Sequence, residues 1–257
     1  MYTSKQFRTR KEEDVFKDID AFSPYKAQIR KVFLADGDPM VLSTPRLLRI
    51  LEKLKATFPN LQRVSTYATP DNIINKSTQE LMELKSAGLD LLYVGIESGD
   101  DKVLDCLQKG ETFKSIVEGV NKAKLCEIDS SVMIINGAGG QLLSKQHAVN
   151  SAKVLNETQP KFASTLVLTT YKGLDHFKKR FVGNYIPLST QELAIEMRTF
   201  IANLELKETI FRSDHASNFL ILKGILGKDK EVFMSQLDSA ITNPDFISYR
   251  QNFKSGI

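Results

Sequence analysis

The chain has 257 residues, of which 42% are hydrophobic and 26% are charged, and its net charge is +4. This length fits one large domain, and the composition is ordinary for a soluble globular protein. No apolar run approaches the ~20 residues of a membrane-spanning helix, and the first residues lack the apolar core of a signal peptide. We therefore expect a cytoplasmic protein with no membrane contact.

The cysteines and histidines give no metal-binding pattern. Cys106 and Cys126 are the two cysteines, and their spacing matches no zinc or cluster motif. We expect both to be buried as small hydrophobic residues, and no metal site within this sequence. A basic run at 177–180 is typical of a solvated surface, with contact to RNA or phosphate as the alternative, so nucleic-acid binding stays open.

Apolar runs along the chain predict buried strands. Nearly continuous runs of this kind are typical of parallel strands that are covered on both faces. Strands are predicted at 31–35, 63–68, 89–96, 130–136 and 162–169, with one more at 207–211. A helix is predicted at 228–240, and it lies in a C-terminal helical tail that spans about 212–257 of a single domain, 1–257.

Helices are predicted between the strands from their capping residues. The predicted starts are Thr44 followed by Pro45, Ser77 with Glu80, Ser144, and Ser189 with Glu192. Repeated strand–helix units imply right-handed crossovers and a parallel sheet. Because no G-x-G-x-x-G follows the first strand, we prefer an α/β barrel or partial barrel to an open, doubly wound sheet.

Acids, hydroxyls and glycines follow the carboxyl ends of the predicted strands, where ligands bind in both kinds of α/β fold. These strand ends are Asp36-Gly37-Asp38-Pro39, the segment 65–70 with Thr66 and Tyr67, Glu97-Ser98, the segment 136–140 with Gly137, and the segment 169–171. Carboxylates suit an amino group, paired acceptors suit a ribose, and apolar walls suit an adenine.

Each of these strand ends also has an ordinary structural interpretation. Asp36 and Asp38 could belong to a turn in which the side chains bond their own backbone. Glu97 could cap the helix that follows it. The segment 136–140 could be only a tight turn, with a phosphate cradle as the alternative.

Several stretches of the chain resemble the radical S-adenosylmethionine (SAM) superfamily. They are VFLADGDPMVL, VSTYATP, LLYVGIESGDDKVL, GETF and FRSDHASN, and the resemblance spans roughly residues 3–225. The branch it most resembles contains the Elongator catalytic subunit and oxygen-independent coproporphyrinogen oxidase. The resemblance implies a partial parallel barrel that binds SAM against a 4Fe–4S cluster, cleaves it reductively to a 5′-deoxyadenosyl radical, and abstracts hydrogen from a substrate.

The resemblance also implies a set of cofactor-binding residues. The turn at Asp36, Gly37 and Asp38 would meet the methionine amino group of SAM, and Glu97 and Ser98 would meet its ribose or carboxylate. Ile134 and Gly137 belong to the strand that would flank the adenine, and Leu168 belongs to the next strand, which would give backbone contacts. Thr66, at the end of the second predicted strand, completes the implied set.

Residues near the predicted strand ends are candidates for substrate contact. Arg212 could clamp a substrate carboxylate and His215 could donate to it, with Asn218 in the same FRSDHASN stretch. The alternative is a hydrogen-bonded turn that staples the tail to the barrel. Tyr67 could line the substrate mouth or pack in the core.

The Cys-x3-Cys-x2-Cys motif that holds the cluster in this superfamily is absent from the sequence. Met1 falls where the cluster loop would end, and the first barrel strand has no counterpart. We therefore expect an inactive truncation of a longer protein, which binds neither cofactor firmly. The exposed edge of its first strand is an association hazard that a homodimer could cover.

Two other functions stay open at this point. One is a cluster-less relative that acts as a non-catalytic SAM-binding or partner-binding module. The other is an aldolase-like or phosphate-binding barrel that uses the glycines at 137–140, although no lysine is found at a strand end to form a Schiff base.

Overall fold

The computed structural model describes residues 9–243. The strands in this part of the chain are β1 (Lys31–Leu34), β2 (Arg63–Ala68), β3 (Leu89–Glu97), β4 (Asp129–Asn136), β5 (Phe162–Val167), β6 (Ile210–Ser213) and β7 (Leu222–Ile225). The helices are α1 (Glu12–Ala21), α2 (Thr44–Thr57), α3 (Pro70–Ile74), α4 (Thr78–Ser86), α5 (Asp101–Cys106), α6 (Phe113–Leu125), α7 (Gly140–Thr158), α8 (Leu174–Arg180), α9 (Thr190–Ala202) and α10 (Lys230–Thr242).

The strands form one sheet in the order in which they occur along the chain. The pairing is parallel from β1 to β6, and β7 adds an antiparallel edge. A doubly wound sheet reverses its strand order at a switch point, and this sheet has no reversal. The sequential order confirms a partial (β/α) barrel, and β1 has no neighbour on its outer side within the described residues.

One face of the sheet is covered by helices. On β3 and β4, Val94, Ile96, Val132 and Ile134 are buried, whereas the residues between them are only half-buried. Side chains alternate between the two faces of a strand, so the helix layer packs on one face and the opposite, concave face is more open.

The pairing register of the strands shows which side chains lie on the concave face. Phe33, Tyr67 and Tyr93 project from β1, β2 and β3, and the Phe33 ring lies 4.7 Å from the Tyr67 ring and 5.1 Å from the Tyr93 ring between centroids. Phe33 is 38% exposed and Tyr67 is 47% exposed. A second row on this face contains Gly95, Met133, Ser164 and Arg212, which are paired in register from β3 to β6. The sheet thus presents an aromatic and polar concave surface.

Two predicted helix starts are confirmed. Ser77 accepts a hydrogen bond from the Glu80 N–H, and the Glu80 carboxylate accepts one from the Ser77 N–H. Ser189 and Glu192 form the same reciprocal arrangement at the start of α9. Both patterns were legible in the sequence because a capping box involves residues only three positions apart.

Two other predicted helix starts are wrong. The cap of α2 is Ser43, so Thr44 is already the first helical residue. Ser144 does not begin a helix, because α7 starts at Gly140, directly from the glycine turn after β4. Helices α1, α3 and α8 were not predicted; α3 and α8 have seven residues or fewer, too few for a clear apolar period. The helix expected after Glu97 is α5, and its N-cap is Asp100 instead of Glu97.

The end of the predicted fold also needs correction. β5 stops at Val167 and β6 spans Ile210–Ser213, so Arg212 lies inside a strand and not after it. The tail predicted to be helical from 212 starts with the β6–β7 strand pair, and only α10 is helical in its described part. The remainder, 244–257, lies outside the described residues. No helix among residues 9–243 is long and apolar enough to cross a membrane.

Candidate functional site

The turn after β1 is held by Asp38. Its carboxylate accepts hydrogen bonds from the Met40 N–H at 2.9 Å, the Thr69 N–H at 2.7 Å and the Asn72 side-chain amide at 2.7 Å. These donors belong to the turn itself and to the start of α3. Asp38 therefore ties the carboxyl ends of β1 and β2 together, and its acceptor capacity is largely used within the fold.

Asp36 differs from Asp38 because its carboxylate has no hydrogen bond or ion pair within residues 9–243. Its backbone is left-handed, with φ +67°, and Gly37 follows at φ +94°. A non-glycine residue in this region is uncommon and costs free energy. The turn thus presents one unengaged carboxylate at the strand ends.

A large groove runs beside the outer edge of β1. Its volume is about 1400 Å³, and α1, β1, α2 and the 36–39 turn line it. Its walls are largely apolar and include Val15, Ile19 and Ile50, while Arg10 and Asp36 lie at its polar part. The edge of β1, which has no strand partner among residues 9–243, therefore faces an apolar groove.

The end of β3 carries a second acidic residue with a left-handed backbone conformation. Glu97 has φ +63°, and the β3–β4 register shifts between Gly95 and Glu97. The Glu97 Oε1 atom accepts a hydrogen bond from Lys109 Nζ at 3.1 Å, and its buried Oε2 atom has no partner within residues 9–243. A Cβ atom added at Gly95 would lie 2.7 Å from Glu97 Oε1. The glycine therefore leaves space for this carboxylate over the concave face.

Ser98 lies behind the turn after β3 and not on its ligand side. Its hydroxyl is fully buried, accepts from the Asp100 N–H at 3.0 Å and lies 2.8 Å from His147 Nδ1. The Asp100 carboxylate accepts from Gln146 and Asn150 of α7 at 3.0 and 2.6 Å. Burial opposes ionisation of Asp100, but these hydrogen bonds outweigh it and lower its pKa.

The turn after β4 is held through both backbone groups of Gly137, which has φ +87°. Its N–H donates to Glu196 Oε1 of α9 at 2.6 Å, and its carbonyl accepts from the Tyr185 hydroxyl at 2.9 Å. Burial raises the pKa of Glu196 to about 7 and that of Tyr185 to about 12. Burial also lowers the pKa of His147, which lies between this turn and Ser98, to about 4.

Two predicted cofactor residues lie away from the concave face, and a third bonds the neighbouring strand end through its backbone. Thr66 is fully buried on the helix-covered side, where its hydroxyl donates to the Leu34 carbonyl at 3.1 Å. Ile134 is buried in the main core. Leu168 donates its N–H to the Asn136 carbonyl at 2.9 Å, just beyond the end of β5. These residues shape the strand ends through packing and backbone bonds.

The FRSDHASN stretch forms a hydrogen-bonded turn that holds the chain after β6 against the barrel, as in the structural alternative to substrate contact. Asn218 is buried, accepts from the Val167 N–H at 2.9 Å, and donates to the Thr165 carbonyl at 2.9 Å and to Ser213 Oγ at 3.0 Å. His215 bonds Ser217 within its own turn. The stretch staples the segment after β6 to the end of β5.

Replacement of Asn218 with leucine should destabilise the fold by about 2 kcal/mol, because the Thr165 carbonyl loses its side-chain donor in a buried site. Urea denaturation would measure the free energy of unfolding. The matched control is His215→Ala, which removes hydrogen bonds confined to one turn and should cost less than about 1 kcal/mol. Equal losses for the two variants would contradict the assigned role of Asn218.

Of the predicted substrate residues, Tyr67 and Arg212 lie on the concave face. The Arg212 guanidinium is exposed and donates to the Phe211 carbonyl at 3.1 Å. Tyr93 and Lys109 belong to the same surface and were missed by sequence reasoning. An isolated glycine inside a strand pattern, Gly95, was the available signal, since it often marks a close approach.

The cysteines do not fit an iron–sulfur cluster. Cys106 ends α5 and packs beside Phe181 and Tyr185, whereas Cys126 packs in the main core. Both thiols are buried, and burial raises the pKa of each. Residues 9–243 contain no cluster of His, Cys, Asp and Glu side chains that could hold a metal ion.

The fold and these turns define a partial (β/α)-barrel protein with acidic and glycine-containing turns at the carboxyl ends of its strands. The model of the radical SAM superfamily matches residues 2–147, which is more than half of the sequence. The chain belongs to the radical SAM superfamily.

A curated relative is the heme chaperone HemW of Bacillus subtilis (strain 168), which is 23% identical over 130 residues. The match covers 50% of this chain and 34% of HemW, so the chain spans about a third of that relative.

Two solved structures share the fold. Coproporphyrinogen III oxidase (HemN) from Escherichia coli, a radical SAM enzyme, matches with a TM-score of 0.61 and 16% identity, over 77% of this chain and 48% of that chain. Elp3 of Methanocaldococcus infernus, with an N-terminal deletion, matches with a TM-score of 0.57 and 14% identity, over 88% of this chain and 58% of that one.

Proposed function

We propose that this chain is the SAM-binding part of a radical SAM enzyme that cleaves SAM reductively and abstracts hydrogen from a substrate. The observation that carries the proposal is the superfamily match together with two acidic side chains, at the ends of β1 and β3, that have acceptor oxygens without a hydrogen bond in the described structure. Within residues 9–243 the Asp36 carboxylate makes no hydrogen bond and has Arg10 as its nearby cation, and Glu97 Oε2 is buried without a hydrogen-bond partner.

Each acid is assigned a part of the SAM molecule by its chemistry. The exposed Asp36 carboxylate, in a left-handed turn, receives the ammonium group of the methionyl portion. Glu97 Oε2 accepts a ribose hydroxyl, which satisfies an oxygen that is otherwise buried without a hydrogen bond. Lys109, beside Glu97, offers a cation to the SAM carboxylate. Asp38 and Ser98 position these groups from behind.

The substrate is proposed to approach the concave face. Tyr67 and Tyr93 supply an aromatic surface there, and Arg212 supplies an exposed guanidinium on the same face. This combination favours a substrate with an apolar or planar part and a carboxylate.

The cluster is proposed to be bound by cysteines outside these 257 residues. The sequence has two cysteines and no Cys-x3-Cys-x2-Cys motif, and three thiolates are needed to hold such a cluster. The unpaired edge of β1 and the apolar groove beside it support the addition of a further strand that carries that segment.

Two variants test the assignment of SAM to the strand ends. Glu97→Gln should weaken SAM binding by the 257-residue protein about tenfold, the loss expected for one charge-assisted hydrogen bond. Gly95→Ala should do the same without a large loss of stability, since its Cβ displaces only the flexible Glu97 carboxylate. Isothermal titration calorimetry measures binding, and Glu118→Gln on α6 is the control. Unchanged affinity in both variants would reject the site.

The second candidate function is a cluster-less module that binds SAM without cleaving it. The two buried cysteines favour it for the chain as given. Peptide mapping of the native protein, isolated without oxygen, separates the two functions. Peptides with Cys-x3-Cys-x2-Cys joined to this sequence support the enzyme, and a native protein without them supports the binding module.

A further inference from the structure

A buried hydrogen-bond chain links the turn after β3 to the backbone of β4. The Asp100 N–H donates to Ser98 Oγ at 3.0 Å, and Ser98 Oγ lies 2.8 Å from His147 Nδ1. His147 Nε2 lies 3.0 Å from the Ile135 carbonyl. A carbonyl only accepts, so Nε2 carries the hydrogen of the neutral ring, and Nδ1 accepts from the Ser98 hydroxyl.

Glu196 lies beside this chain, without a hydrogen bond to His147, and bonds the turn after β4. Its Oε1 atom accepts from the Gly137 N–H at 2.6 Å and lies 3.8 Å from His147 Nε2. The side chains of Glu196 and His147 are 2% and 1% exposed. The Glu196 Oε2 atom is buried and has no hydrogen bond of ordinary length within residues 9–243, although the Ser144 hydroxyl of α7 also lies near this carboxyl and lowers its pKa.

Burying the carboxyl group of Glu196 costs folding free energy that an apolar side chain at the same position would not cost. It lies on α9 next to Met197 and one turn before Phe200, both buried apolar residues. A buried carboxyl with one unpartnered oxygen is less favourable than an apolar side chain of similar size. What the carboxyl supplies, and an apolar residue cannot, is the acceptor for the Gly137 N–H.

We propose that Glu196 is a positioning residue that, acting with His147, holds the turns after β3 and β4 in one fixed relation and so sets the shape of the ligand face. The identity of the ligand, SAM, rests on the proposed function. The positioning itself rests on the hydrogen bonds of Gly137, His147 and Ser98.

The charge state of Glu196 then affects both turns. The titratable groups that face it are His147 from α7 and Tyr185 from the segment between α8 and α9, and Asp100 faces His147 from the far side. Burial raises the pKa of Glu196 to about 7, while His147 and Tyr185 keep their neutral forms at that pH. Ionisation of Glu196 strengthens its hold on the Gly137 N–H and attracts the hydrogen on His147 Nε2.

The first test is a pH titration of backbone amide signals by NMR, from pH 5.5 to 8.5. In the wild-type protein the Gly137 and Asp100 amides should shift with one common midpoint near pH 7. In Glu196→Gln neither should shift at that midpoint. The control, Glu157→Gln, changes an exposed carboxylate on α7 that makes no hydrogen bond or ion pair within residues 9–243, and it should leave both titrations intact.

A second variant tests transmission through the imidazole. In His147→Gln the Gly137 amide should still titrate with Glu196, while the Asp100 amide should no longer follow it. If the Asp100 amide does not titrate with the same midpoint as the Gly137 amide in the wild-type protein, Glu196 affects only the turn after β4. That result overturns the proposal.

SAM binding by calorimetry at pH 6 and pH 8 supplies the functional readout. Between pH 6 and pH 8 the dissociation constant of SAM should change at least threefold more in the wild-type protein than in Glu196→Gln. The change that remains in Glu196→Gln measures the pH dependence that comes from the titration of SAM itself. Equal changes overturn the effect on the ligand face. If SAM does not bind the wild-type protein at either pH, the proposed function fails, and the amide titrations still decide the positioning role.

Discussion

Replacement of Gly99 with alanine is expected to destabilise the protein by about 3 kcal/mol, near the upper end of the usual cost of overpacking. A Cβ atom at this position would clash with the Asn150 carbonyl and would lie 2.7 Å from Ser151 Cα. Both atoms belong to the backbone of α7, which cannot yield as a flexible side chain does. Chemical denaturation followed by circular dichroism measures the loss.

The control for this variant is Gly110→Ala. Gly110 has φ +78° and no atom within 4 Å of an added Cβ, so it reports the backbone cost of alanine at a positive φ without a clash, about 1–2 kcal/mol. A Gly99→Ala variant that loses no more than this control would show that α7 and the turn after β3 are not in close contact.

The second large effect concerns the pH dependence of stability. Glu196 has a folded pKa of about 7 against an ordinary value of 4.5, so its contribution to stability falls as pH rises from 4.5 to 7. His147 has a folded pKa of about 4 against 6.5, so its contribution is lost as pH falls from 6.5 to 4. Between pH 4.5 and 6.5 the folded and unfolded states hold the same number of protons on this pair, and the two slopes cancel.

Glu196→Gln removes the contribution of Glu196 to the pH dependence of stability and leaves that of His147. Relative to the wild-type protein, the variant should gain about 3 kcal/mol of stability between pH 4.5 and pH 8, the equivalent of the pKa shift of Glu196. Its own stability should fall steeply below pH 6.5, where His147 acts alone. Urea denaturation at pH 4.5, 5.5, 6.5 and 8 measures this, with Glu157→Gln, an exposed acid on α7, as the control. A difference between variant and wild type that is constant with pH would refute the assigned charge states.

The sequence predicted the elements whose signals are local. The capping boxes at Ser77 and Ser189 and the buried strands β2 and β4 depend on neighbouring residues and on apolar period. The boundaries of β6 and α7 were wrong because their causes are distant. The strand β6 is placed by pairing with β5 and β7, and α7 begins directly from a turn that Glu196 holds from another helix.

The candidate site was predicted unevenly for the same reason. Asp36 and Glu97 were found because acids at strand ends are visible in the sequence. Lys109 was not found, because nothing in its neighbourhood indicates that it meets Glu97, twelve positions away. His147 was passed over as one of three scattered histidines, although it lies at the centre of the chain from Ser98 to Glu196.

The sequence by itself determined the alternation of strands and helices, the strand ends that carry acids and glycines, and the superfamily that those motifs resemble. Tertiary structure decided which acid is unengaged, since Asp36 and Asp38 are indistinguishable by pattern, and only the contacts of Thr69 and Asn72 occupy Asp38. Charge and hydrogen-bonding capacity are properties of a residue. Their availability depends on which groups the fold brings within about 3 Å, and those groups come from other parts of the chain.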